Sequence, residues 1–344
     1  MSLPHPRLHD FSAGQLSSDS VITRRRALAL LGSMLVAAST PASAKNFLFR
    51  DYGPHPHLAS PDSIVAVAAM LVDAQTGQVL YARNPDRRLL PASTTKLMTA
   101  LIVYEKLGGL NGSVRIAPDD RAEPSNIPVI PGEVISVYDL FHALLIESAN
   151  DSARALGRSV AGSEEGFVQM MNARARSMGL YNTHFYNPNG LPAPAGTHYT
   201  CCADLMKIFA AVLRYPELRE IMSTKEFVIR TRSGTHRLVN HNRLLGYYPG
   251  MGAAKTGWTV ASRHTYAASV TRGGRELLLT ILDSTDKWSD AMILFNWGFA
   301  QAATAPELPT AGDDDGSQPP ATSLSSAPTG RMLTPAPSGR ANEQ

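Results

Sequence analysis

The chain of 344 residues is 44% hydrophobic, enough for one large domain or two small ones with a real core. A formal net charge of +3, with 18% charged residues and no Lys/Arg run beyond Arg24 to Arg26, argues against a nucleic-acid partner. Two adjacent cysteines, Cys201 and Cys202, offer neither an unstrained disulfide nor enough ligands for a metal site, so they are expected to be small buried residues at a helix start.

In chain order, Arg24 to Arg26 precede the apolar run from Ala27 to about Thr40 and the small-x-small site Ala42-Ser43-Ala44. That pattern reads as a secretory signal peptide over residues 1–44, too short and too early for a membrane span. The stretch Thr23 to Leu28 resembles a twin-arginine export signal, with Ala27 where that signal usually has Phe. Residues 45–63, with His55 and His57 flanking a proline, read as a linker. From Ile64 an apolar strand, a turn over Ala74 to Gly77 and a second strand from Gln78 to Ala82 suggest a hairpin. A helix is expected from near Ser93, with Leu97, Leu101, Ile102 and Leu107 at helical spacing and Gly108-Gly109 as its stop. Further helices are expected over Leu140 to Ile146, Asp151 to Val160, Phe167 to Met178 and Asp204 to Leu213, with an irregular loop from Asn187 to Pro194. From about Lys225 the pattern turns to strands, FVIRT, HRLVN and HTYAASVTRGGRELLLTILD, closed by a helix from Trp288 to Phe299. Residues 301–344 are Pro-, Ser-, Ala- and Thr-rich and are expected to be disordered. Strands at both ends and helices between them suggest one sheet shared by the two ends of the chain, with a helical insertion.

Chemistry concentrates at three places. Ser93 and Lys96 are three apart at a helix start, so the lysine can lean back to the hydroxyl and serve as its base. The same spacing recurs in Ser284 to Lys287, which lacks companions and carries no weight on its own. Ser148-Ala149-Asn150 falls between two helical stretches, and Lys255-Thr256-Gly257 falls beside a strand, where an extended substrate can pair with an edge. The order S-x-x-K, S-x-N, K-T-G is the set found in serine β-lactamases and penicillin-binding proteins.

The longer stretches LPASTTKLMTA, LLIESANDSARALG, NPNGL with THYTCCADL, NRLLG, AAKTGWT and NWGF resemble the D-alanyl-D-alanine carboxypeptidases, the low-molecular-weight penicillin-binding proteins. The resemblance covers roughly Ile64 to Phe299 and implies a catalytic domain over residues 64–300. It implies an α/β (α+β) fold, an antiparallel sheet built from both ends of the chain, flanked by helices and carrying a mostly helical inserted subdomain. It also implies roles: Ser93 as nucleophile toward the bond between two D-alanines, Lys96 as base, and Ser148 as proton relay to the leaving amine. Asn150 would bind the substrate amide, Lys255 would lower the Lys96 pKa, and Thr256 would bind the terminal carboxylate. The backbone N–H groups of Ser93 and Trp258, around Gly257, would form the oxyanion hole. The implied partners are a peptidoglycan stem peptide ending in D-Ala-D-Ala and β-lactam antibiotics. No cofactor or metal is implied, because serine acyl transfer needs none.

Two departures stand out. The family's carboxylate-binding arginine near the end of the last strand has no counterpart in LLLTILDSTDKW, so carboxylate recognition is expected either to be weaker or to come from Arg263. The β-rich domain and amphipathic C-terminal membrane helix of many relatives are not evident, so a periplasmic or extracellular soluble protein is expected. Among rivals, a class A β-lactamase needs a glutamate in the loop beyond the second motif, yet no glutamate lies between Glu165 and Glu217. An endopeptidase shares the same chemistry, and a penicillin-sensing or peptidoglycan-binding module would share the pocket without turnover.

Overall fold

The computed structural model describes residues 59–303; the signal segment, most of the linker with His55 and His57, and the tail from 304 lie outside the described residues. Residues expected to end the linker instead form a 3-10 turn, Pro61–Ser63, capped by the Ser60 hydroxyl.

A five-stranded sheet runs β2-β1-β9-β8-β7, every neighbouring pair antiparallel. Its strands are β1 (Ala68–Asp73), β2 (Val79–Arg83), β7 (Met251–Thr259), β8 (Arg263–Arg272) and β9 (Arg275–Ser284). The sheet therefore joins both ends of the chain: Leu71 of β1 faces Leu279 of β9. Strand β9 is an almost unbroken apolar run because both of its faces are covered. Leu278 and Leu282 pack toward the helical part, while Leu277, Leu279 and Ile281 pack under α7 (Lys287–Ala303). A strand buried on both sides loses the apolar–polar alternation of a half-exposed one.

The insertion holds α1 (Lys96–Leu107), α2 (Val137–His142), α3 (Asn150–Ala161), α4 (Glu164–Ser177), α5 (Cys202–Leu213) and α6 (Pro216–Ser223). Leu97, Leu101, Phe141, Leu144, Phe167 and Phe209 are all buried in its core. α5 opens at Cys202, two residues before the expected Asp204, and the buried Cys201 sulfur accepts from the Asp204 amide at 3.4 Å; both cysteines are free.

The segments FVIRT and HRLVN fall in β5 (Glu226–Thr231) and β6 (Gly234–Val239), which pair with each other outside the large sheet. Only Ile229 and Leu238 of this ribbon are buried, so it lies on the surface as a flap with one anchored side. A second short ribbon pairs β3 (Ser113–Arg115) with β4 (Val134–Ser136), in a stretch where sequence reasoning placed no element.

Candidate active site

Ser93 sits in a 3-10 turn, Ala92–Thr95, that leads directly into α1. The turn is pinned from two sides. Thr94 and Thr265 hydroxyls both donate to the Pro91 carbonyl, at 2.7 and 2.9 Å. Ala92 takes φ +46°, a left-handed conformation uncommon outside glycine. Gly257 of β7 passes so near that a Cβ there would lie 2.8 Å from the Ser93 nitrogen, so the strand and the turn meet backbone to backbone. Ser93 itself is half-buried.

Lys96 occupies the first position of α1 and is completely buried. Its Nζ lies 3.0 Å from Ser93 Oγ, 2.7 Å from Asn150 Oδ1 and 2.7 Å from the Asn189 carbonyl. Burial and then the neighbouring Lys255 cation hold it well below the usual lysine range, with Asp151 opposing. Asn150 Nδ2 donates to the Pro124 carbonyl, which fixes the amide so that its oxygen faces Lys96.

Ser148 follows a π-helical turn, Ala143–Glu147, and adopts φ +65°. That widened turn ends α2 and lets α3 start at once, which projects Ser148 and Asn150 into the same space. Lys255 Nζ donates to Ser148 Oγ at 2.9 Å and to its neighbour's carbonyl, Thr256 O, at 2.8 Å. Burial and then Lys287 push Lys255 down to about 7. β7 is the free edge of the large sheet, as the Lys-Thr-Gly motif implies. Thr256 is buried, while Trp258 is 58% exposed at the mouth.

All three motif pairs are thus gathered around one point. The residues that sequence reasoning left out are Asn189, Asp151 and His198. The Asn189 carbonyl is aimed by two Asx turns: Asn187 Oδ1 accepts from Gly190 N at 2.7 Å, and Asn189 Oδ1 accepts from Leu191 N at 3.0 Å. Thr99 fixes the loop from below through Pro188 O at 2.6 Å. The sequence signal was the NPNGL stretch itself, which carries part of the family resemblance but was read as an irregular loop with no site role. Asp151 is buried behind Asn150, with burial raising it to about 7. His198, buried and held down at about 4 by burial, contacts Thr95 Oγ1 at 3.0 Å and props the turn from behind. Arg263 does not enter the site: its guanidinium pairs with Asp283 at the end of β9. The recurring Ser284 and Lys287 do not form a second nucleophile pair, since Ser284 Oγ donates to Asp290 and Lys287 turns to His264.

Comparison with known proteins gives the chain's relatives. The family described as D-alanyl-D-alanine carboxypeptidase matches residues 55–286. The Bacillus subtilis D-alanyl-D-alanine carboxypeptidase DacF is 34% identical over 250 residues, 70% of this chain and 64% of that protein. The Mycobacterium tuberculosis D-alanyl-D-alanine carboxypeptidase DacB2 is 33% identical over 237 residues, 67% of this chain and 81% of that protein. A crystal structure of a D-alanyl-D-alanine carboxypeptidase from Mycobacterium tuberculosis H37Rv superposes with a TM-score of 0.66 at 33% identity, covering 70% of this chain and 92% of that one. The chain belongs to the D-alanyl-D-alanine carboxypeptidase family.

Proposed function

We propose that this chain is a serine D-Ala-D-Ala carboxypeptidase that removes the last residue of peptidoglycan stem peptides through an acyl-enzyme on Ser93. The observation that carries the reading is the Lys96 environment. Two of its neighbours, Asn150 Oδ1 and Asn189 O, can only accept, and the third is the Ser93 hydroxyl. A neutral amine has two N–H groups and one lone pair, so it satisfies both oxygens and still takes the serine proton.

In this mechanism the peptide lies along the free edge of β7 and Ser93 Oγ attacks the penultimate carbonyl while Lys96 accepts its proton. The N–H groups of Ser93 and Trp258 hold the oxyanion, and Gly257 lets the two backbones stand close enough to do so. Ser148, bridged to Lys255, gives its proton to the leaving D-alanine amine and takes back the one that Lys96 received from Ser93. The Asn150 side chain orients the substrate amide, Thr256 takes part of the terminal carboxylate, and water then cleaves the ester. A β-lactam enters by the same attack and leaves a slowly hydrolysed adduct.

A rapid β-lactamase is disfavoured by the same region that lacks glutamate: its one aspartate, Asp204, accepts from Asn182 N and the Thr183 hydroxyl, both at 2.9 Å, and so serves α5 rather than a water. The signal segment supports export to the periplasm or cell exterior, and no helix among the described residues is long and apolar enough to cross a membrane. The test is D-alanine release from a pentapeptide ending in D-Ala-D-Ala, beside a cross-linked peptide dimer. Release from the pentapeptide, lost in Ser93→Ala, is the expected result. Cleavage of the dimer alone would make the chain an endopeptidase, and turnover of neither would refute peptidase function.

A further inference from the structure

The second motif is held from outside the pocket. Asn150, whose Oδ1 meets Lys96 Nζ at 2.7 Å, is fixed by two carbonyls. Its Nδ2 donates to Pro124 O, and its backbone N–H donates to Ser125 O at 2.7 Å. Burial raises the carboxyl of the next residue, Asp151, and the Ser152 and Ile127 N–H groups oppose that rise by donating to it. Residues 124–127 thus lie as a strap across the start of α3. Yet residues 121–133 form neither helix nor strand, and Pro124 and Ser125 are exposed. A stretch without ladder hydrogen bonds keeps its shape only through other partners.

Those partners converge on Glu133, which is 4% exposed. Ile130 to Glu133 is a tight turn, closed by Glu133 N donating to Ile130 O at 3.0 Å, with Pro131 second and Gly132, at φ +84°, third. The Glu133 carboxylate accepts at both oxygens. Oε2 takes the Ile130 N–H at 3.2 Å, and Oε1 takes the N–H of Arg232 at the tip of the β5–β6 flap. Beside it the Ser233 hydroxyl donates to Pro128 O. The flap tip is thereby tied to the strap at two points. The flap root is tied to the other half of the motif: Val239 N donates to Glu147 Oε2 at 2.9 Å, and Glu147 immediately precedes Ser148. Between these ends Ile229 and Leu238 sit in the core, while Val228 and Val239 are exposed on the other side.

We propose that Glu133 and Ser233 are positioning residues for the reaction: they lock the flap to the strap, and the strap holds the Asn150 amide against Lys96 and the substrate. The assignment rests on the serine-peptidase reading and extends the machinery to a surface ribbon that carries no motif residue. The lock needs a carboxylate. Two N–H groups approach it, one per oxygen, and a glutamine presents an acceptor to only one of them. Loss of the lock reaches Lys96 as a displaced Asn150 oxygen. A displacement of about 1 Å is enough to cost rate, because catalysis falls steeply as its groups leave their places.

The experiment measures the rate of penicillin acylation of Ser93 in the full chain, well below the unfolding temperature of each variant. Glu133→Gln should be acylated about tenfold or more slowly than the wild type. Ser233→Ala, which removes one exposed hydroxyl, should slow acylation at least about threefold, the scale of one hydrogen bond. Ser233→Thr keeps the hydroxyl and should restore the wild-type rate. The lock acts through Asn150, so adding Glu133→Gln to Asn150→Ala should cost less than about twofold more. A residue that served stability alone would lower the unfolding temperature and leave the rate of the folded enzyme unmoved. Wild-type acylation in folded Glu133→Gln or in Ser233→Ala would overturn the proposal, and so would a full multiplicative loss in the double variant. If Glu133→Gln does not fold, the Ser233 pair decides: equal rates in Ser233→Ala and Ser233→Thr overturn it. Absence of acylation in the wild type would bring down the serine-peptidase reading and the lock with it, whereas normal acylation in the wild type and in both single variants refutes the lock alone.

Discussion

A buried lysine is an unfavourable ammonium but a serviceable base, and the side chains around Lys96 decide which form it takes. No carboxylate pairs with it; its contacts are one hydroxyl, one amide oxygen and one carbonyl. Lys255 adds a cation from the far side of Ser148 and lowers Lys96 further. Removing that cation favours the protonated form of Lys96, so its pKa rises. Lys255→Ala should therefore shift the acidic limb of the penicillin acylation profile to higher pH by about 1 unit, the size of a nearby-charge effect, and slow acylation at pH 7 about tenfold or more. An acidic limb that stays in place or moves down would separate Lys255 from Lys96. The two lysines, Ser93, Ser148 and Asn150 were legible in the sequence because their spacing is itself the signal. Asn189 was not, because it contributes a backbone carbonyl, and any residue carries one of those.

Local backbone shape places these groups. The S-x-x-K serine lies in a 3-10 turn rather than in the helix proper, and α1 begins at the lysine. The S-x-N serine follows a π-helical turn, a feature that apolar spacing does not reveal. The loop carrying Asn189 depends on Gly190, which has φ +85° and whose Cβ would stand 1.8 Å from the Ala92 carbonyl oxygen. Gly190→Ala meets both left-handed strain and a backbone clash, so the loop must back away from the nucleophile turn. Thermal unfolding should fall by at least about 4 °C, given a strain of about 1–3 kcal/mol in a domain of this size. Acylation by penicillin should slow at least about tenfold, since a small misplacement of the catalytic groups suffices. Wild-type rates in a folded Gly190→Ala variant would show that the loop does not set the Lys96 contacts. Apolar spacing revealed the long helices, but the short α6 went unread, and starts moved: α4 begins at Glu164, where Ser163 caps it, ahead of the first periodic apolar residue Phe167.

Over the whole molecule, the site is a seam. One wall is the free β7 edge of a sheet that takes β1 and β2 from before the helical insertion and β7, β8 and β9 from after it, and the other wall is the insertion itself. Strands at both ends of the sequence announced that architecture. Register did not follow from the sequence, because β9 is apolar on both faces and gives no alternation to align. Register is also what brings His264 beside Trp258 and gives Lys287 a place near the motif strand, so that contact stayed hidden while the second S-x-x-K was plainly visible. The central claim is that this seam makes Ser93 a nucleophile. It is tested most directly by following the intact mass of the chain after mixing with penicillin, beside Ser93→Ala. The account predicts one long-lived adduct of a single drug molecule, located on Ser93 and absent from the variant. An adduct that survives in Ser93→Ala, or none in the folded wild type, would contradict it.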